Sequence, residues 1–194
     1  MNYSGKKDSV LIEALWPSSG LVRDLVLVLA GSWLVALLAQ VQIPMWPVPV
    51  TGQTLGVLLI GALLGSRLGT TSMIAYLVQG AIGLPFFAGG AAGTAVLVGP
   101  TAGYLAGFVV AAFVVGWLAE RGLDRHMGTA VFAMIVGNVI IYALGLAWLS
   151  RFTGLETVLS VGMVPFIPGD ILKIIIAAGL LPLGWKLLGR KESK

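Results

Sequence analysis

Cysteine is absent from this sequence, and histidine occurs once, as His126 in a charged stretch. Without thiols there is no disulfide, no thiolate nucleophile and no thiolate metal ligand. One histidine cannot assemble an imidazole metal site. Charge is scarce as well: 10% of residues are Asp, Glu, Lys or Arg, against about 25% in ordinary soluble domains. No Walker motif is present, so the chain does not hydrolyse ATP itself. The N-terminus lacks the basic start, apolar centre and small-residue cleavage site of a secretory signal. The polar tails are too short to fold on their own. The net charge of +4 calls for no nucleic-acid partner, because topology accounts for where the positive residues lie.

What is present is apolar. Of 194 residues 58% are hydrophobic, and mean hydropathy is +0.98. This is the composition of an all-α integral membrane protein in a lipid bilayer. A single membrane domain is expected over 1–194: a cytoplasmic or interfacial tail at 1–20, a bundle at 21–189 and a tail at 190–194. Within the first tail, 8–16 is weakly amphipathic and suited to lie along the interface. Twenty-seven glycines suit a bundle whose helices approach closely.

Apolar runs fall at 25–43, 54–64, 70–82, 103–118, 130–149 and 166–188. One span needs about 20 residues, which the first, fifth and sixth runs reach. The second and third are short and flank Gly65-Ser66-Arg67-Leu68-Gly69, which reads as the turn of a helical hairpin. Six crossings put both termini on one side. That side carries Lys6, Lys7, Arg23, Arg67, Arg121, Arg125, Lys186, Arg190, Lys191 and Lys194, whereas the loops opposite carry Arg151. The bias places both termini in the cytoplasm.

This topology gathers polar residues in the outer half. Asp170 and Lys173 lie in the first turns of the last run, three apart and on one helix face. Ionisable groups inside an apolar segment mark a functional site by default; the alternative is an ion pair that only neutralises itself. Gln53 opens the second helix and Gln79 closes the third. Asn138 and Tyr142, four apart, share one side of the fifth. The uncharged stretch 83–103 joins helices three and four. It is too apolar to sit in free water and reads as a lid over a cavity, the alternative being a passive connector. Phe86, Phe87 and Tyr104 supply flat apolar surface, and glycines such as Gly89 permit close backbone approach.

Four blocks carry a family resemblance: Pro47-Val48-Pro49-Val50-Thr51-Gly52-Gln53-Thr54; Gly80-Ala81-Ile82-Gly83-Leu84-Pro85-Phe86-Phe87-Ala88-Gly89-Gly90; Gly99-Pro100-Thr101-Ala102-Gly103-Tyr104; and Pro168-Gly169-Asp170-Ile171-Leu172-Lys173. Together they resemble the BioY family, biotin-binding S components of energy-coupling factor (ECF) transporters, over about residues 20–188. The resemblance implies a multi-pass protein of a prokaryotic cell membrane. It further implies six helices, an outward biotin pocket, and energy from a transmembrane coupling protein with cytoplasmic ATPases. Biotin would be the transported ligand, with no cofactor and no enzymatic activity. Lys173 suits its carboxylate, Asp170 and Asn138 its ureido group, and the aromatic lid its thioether ring.

Two departures are visible. The family's Ala-xxx-Ala docking patch has its nearest counterpart in Ser32 and Ala36, and a Gly-Gly after Pro-Thr is Ala102-Gly103 here. The competing readings are an S component for another small vitamin and an ion-coupled secondary transporter or channel. The second would be marked by internal repeats, and the two halves show no convincing one. An intramembrane enzyme would need a nucleophile–base pair or metal ligands, and the residues above do not supply them.

Overall fold

At Gly65 the backbone takes φ +81° and ψ 178° inside an otherwise helical stretch, a conformation essentially reserved for glycine. That one residue folds a long helix back on itself. The architecture comes from a computed structural model that describes residues 10–192, with side chains through 189.

The chain runs through α1 (Leu11–Leu15), α2 (Leu21–Gln40), strands β1 (Gln42–Ile43) and β2 (Val50–Thr51), and α3 (Gln53–Ala81). It continues through α4 (Ala102–Ala119), α5 (Met127–Thr153), α6 (Val158–Gly162) and α7 (Ile167–Glu192). Residue 65 divides α3 into arms 53–64 and 66–81. The arms are antiparallel and touch: a Cβ on Gly69 would stand 2.9 Å from Gly61 Cα, and Gln53 Nε2 donates to the Tyr76 hydroxyl at 2.6 Å. Glu120, just past α4, accepts from Ser66 N at 2.7 Å and Ser66 Oγ at 2.8 Å. A carboxylate there satisfies an orphan donor and complements the helix dipole.

The hairpin expected between the second and third apolar runs is therefore present, with a tighter turn. Gly65 alone breaks the helix, and Arg67 already belongs to the second arm. The first run also stops earlier, at Gln40. Pro44, Pro47 and Pro49 follow, and residues that cannot donate end a helix. The chain instead forms an antiparallel ribbon with Gln42 opposite Thr51 and Ile43 opposite Val50. This ribbon and the short α6 are additions to the six-helix expectation.

Helices α3, α4, α5 and α7 pack in a ring that closes on itself, and α2 braces α3 from outside. Small residues bring the backbones together. A Cβ on Gly107 would fall 2.9 Å from Ile141 Cα, and one on Gly61 2.8 Å from the Ala112 carbonyl oxygen. Among the described residues, five helical stretches are long and apolar enough to cross a membrane, the α3 hairpin counting once.

The two ends of the ring differ. One holds the ribbon, the loop 83–101 and α6, and is called here the cavity end. The opposite end holds the Gly65 turn and is covered by α1, whose Leu11 packs on Gly184 while Val10 packs near Gly65. The described part of the amphipathic segment thus lies across the base of the bundle. Arg23, Arg67, Arg121, Arg125 and Lys186 also lie at this end, whereas Arg151 lies at the cavity end. Lys6, Lys7 and Lys194, the side chains of Arg190 and Lys191, and residues 1–9 and 193–194 of the two tails fall outside the described residues.

Candidate ligand-binding site

Pro168 sits in the first turn of α7, where its missing N–H costs no helical hydrogen bond, and Asp170 and Lys173 follow on one face. Lys173 Nζ lies 3.0 Å from Asp170 Oδ1 and donates to Thr54 Oγ1 at 2.9 Å. The Thr54 hydroxyl donates to the same Oδ1 at 3.3 Å. Tyr142 donates to Oδ2 from α5. Three helical elements thus converge on one carboxylate that is 6% exposed. With charge-assisted bonds on both oxygens, this buried pair is satisfied rather than merely neutralised.

The cluster forms one pole of a cavity of about 410 Å³ that opens at the cavity end. Such a volume falls within the range of about 300–1,000 Å³ typical of small-molecule sites. Elsewhere the wall is mainly apolar, with Val48, Ala91, Val96, Leu105, Phe108 and Ile141, and Thr51, Gln53 and Thr101 add polar side chains. Phe87 is buried on one side, its ring pressed onto Gly80. Tyr104 also lines the cavity, its hydroxyl donating to the Gly162 carbonyl at 2.8 Å. Phe166 packs beside Tyr104 and Tyr142, with centroids 6.5 Å from each.

The loop 83–101 contributes to this wall and is tied at its middle and near its far end. Gly93 N donates to Gly80 O at 2.8 Å, and Trp148 Nε1 donates to Gly99 O at 2.9 Å. Two single-turn helices lie along it, Ala88–Gly90 before the first tie and Thr94–Leu97 between the two. A region that reads as featureless in composition therefore has a defined path.

Of the residues singled out from sequence, Gln53, Phe87, Tyr104, Tyr142, Asp170 and Lys173 line the cavity. Four do not. Gln79 turns to α2, donating to Ser32 Oγ at 2.9 Å and accepting from Trp33 Nε1 at 3.0 Å. Phe86 packs outside, against Tyr76 and Trp33. Gly89 faces the Gln42 side chain on the ribbon. Asn138 lies one helical turn deeper than Tyr142; its Nδ2 bonds the Met134 carbonyl, and its Oδ1 has no partner among the described residues. Ser32 and Ala36, read as a docking patch, are both buried within the chain. A Cβ on the neighbouring Gly31 would stand 2.7 Å from Ser72 Oγ, so this small-residue face packs within the chain.

The BioY family model matches residues 7–190 of this sequence. The chain belongs to the BioY family. Among BioY relatives, the biotin transporter BioY of Rhizobium etli is 41% identical over 180 residues, covering 86% of this chain and 96% of the relative. The biotin transporter BioY of Thermotoga maritima is 40% identical over 153 residues, covering 78% and 85% respectively. A solved structure described as the S component for biotin from an ECF-type ABC transporter is similar at a TM-score of 0.75. It shares 27% identity and covers 87% of this chain and 95% of that one. This chain is accordingly a multi-pass membrane protein with the S-component fold.

Sequence reasoning missed Thr54, Thr51 and Phe166 as wall residues. The first two stand in a block that already drew notice, on either side of Gly52-Gln53. A hydroxyl in the first turn of an apolar helix was the available signal, but its partners sit more than a hundred residues away in the chain.

Proposed function

We propose that this BioY protein is the capture subunit of a biotin uptake transporter, binding biotin in the cavity and passing it on when partner ATPases act through a transmembrane coupling protein. The observation that supports this most is one mainly apolar cavity with a single, electrically balanced polar pole made of Asp170, Lys173, Thr54 and Tyr142. Biotin has matching parts: an apolar bicycle and chain, a neutral ureido head rich in donors and acceptors, and a carboxylate.

The pairing of Lys173 bears on orientation. A carboxylate brought to an already neutral pole would lose hydration without gaining a free counter-charge. A ureido group exchanges hydrogen bonds there at no net charge. The head therefore goes to the pole, and the carboxylate goes toward the opening. This revises the assignment of Lys173 to the carboxylate, which rested on residue type alone.

The cavity end faces outside, in keeping with the basic residues at the opposite end, and the loop 83–101 covers the bound ligand. The whole chain acts as one membrane domain. Isothermal titration of the purified protein, without ATP or partners, tests the reading. Biotin binds tightly, while riboflavin and thiamin bind far more weakly. Vesicles holding this chain alone accumulate little biotin. Equal affinity for unrelated vitamins would overturn the assignment.

A further inference from the structure

Tyr76 is fully buried and stands behind the cavity wall, yet it touches both the wall and the loop that covers it. Phe86 stacks on its ring at 6.4 Å between centroids, and Phe87 meets it edge-on at 5.6 Å. Its hydroxyl accepts from Gln53 Nε2 at 2.6 Å and donates to the Phe86 carbonyl at 3.3 Å. On the other side of the same amide, Thr51 Oγ1 donates to Gln53 Oε1 at 2.8 Å. The four groups form a directed chain from the ribbon, through the first arm of α3 and across to the second, ending at the root of the loop.

This chain leaves one orientation for the Gln53 amide, nitrogen toward Tyr76 and oxygen toward Thr51. A carboxamide has two N–H groups and two acceptor lone pairs. One of each is used, so one N–H and one lone pair remain on a residue that lines the cavity. An adjacent N–H and C=O, as on an amide or cyclic urea edge, complement that remainder. Thr54, the next residue, belongs to the polar pole, which places Gln53 beside it.

We infer that Tyr76 is a positioning residue for ligand binding, holding the Gln53 amide in one orientation and seating the Phe86–Phe87 root of the loop over the cavity. The inference rests on the biotin reading, because the ureido ring supplies the complementary edge. Without the hydroxyl, Gln53 can turn over and the Phe86 carbonyl loses its donor, so the ligand leaves faster.

Tyr76→Phe keeps the ring and removes the hydroxyl. Biotin should dissociate about tenfold faster, the scale of one lost buried hydrogen bond. Biotin should also protect the loop 83–101 less from protease than in the parent. Gln53→Leu breaks the same chain from the wall side, and the double variant should be no worse than the more impaired single, as for residues acting as one unit. Trp185→Phe is the stability control. It removes a buried bond, Nε1 to Asp124 Oδ2 at 2.7 Å, at the opposite end, and should leave dissociation unchanged. Parent-like dissociation and protection in Tyr76→Phe would overturn the inference, as would an equal acceleration in Trp185→Phe. Failure of the parent to bind biotin is scored before any variant and overturns the reading beneath it.

Discussion

Each end of the bundle buries an aspartate, and the two are handled differently. Asp170 stands on a cavity wall and takes donors from Thr54, Tyr142 and Lys173. Asp124, 1% exposed in the turn between α4 and α5, lies away from the cavity. Trp185 of α7 donates to it, and the Arg125 guanidinium stacks 4.5 Å over the same indole. One carboxylate ends in a space that a ligand can enter; the other is enclosed by packing that ties α7 to the turn. Burial alone does not separate a recognition group from a brace. The adjoining cavity does.

The comparison breaks most visibly when half of the pair at the cavity end is removed. Asp170→Leu or Lys173→Met leaves an unpaired buried charge and should cost about 3–5 kcal/mol of stability, read from thermal unfolding in detergent. The double variant should recover most of that loss. Thr54→Val leaves the ion pair in place and removes the hydroxyl that bridges it. It should weaken biotin binding by about 1.5–3 kcal/mol, measured by titration, with a smaller effect on melting.

At the opposite end the expected pattern is the reverse. Gly65→Ala forces a side chain into a glycine conformation and against Glu120 Oε1, 2.7 Å from the new Cβ. It should cost about 1–3 kcal/mol of stability while biotin affinity per folded molecule stays unchanged.

The smallest effect is a pH slope. Burial, opposed by the Trp185 hydrogen bond, its own backbone and Arg125, raises the Asp124 carboxyl above its ordinary value of 3.8. The folded state then holds this proton more tightly than the unfolded state. Stability should fall as pH rises from the ordinary value through the raised one. Asp124→Asn should flatten that part of the melting-versus-pH curve. A slope unchanged in the variant would remove Asp124 as its source.

Much of this organisation was legible because bilayers constrain sequences tightly. Apolar runs, a turn within 65–69 and the Asp170/Lys173 pair within an apolar helix each follow from local chemistry. Helix phase was legible only within one helix. Asn138 and Tyr142 share a side of α5, yet one helical turn of depth puts Asn138 below the cavity. Gln79 sits at the correct end but bonds Ser32 and Trp33 of α2, a choice of neighbour that the sequence of its own helix does not record. Ser32 and Ala36 have the small side chains that any close helix contact requires, and composition does not say which neighbour makes it. Thr54, Tyr142 and Asp170 meet only in three dimensions, so their shared hydrogen bonds left no mark in spacing.

Binding of biotin to the Asp170→Leu/Lys173→Met double variant, titrated at a temperature where its fold is verified, tests the central claim most directly. A recognition pole predicts a stable protein with little or no biotin affinity. Parent-like affinity would make the pair a structural neutralisation and contradict the account.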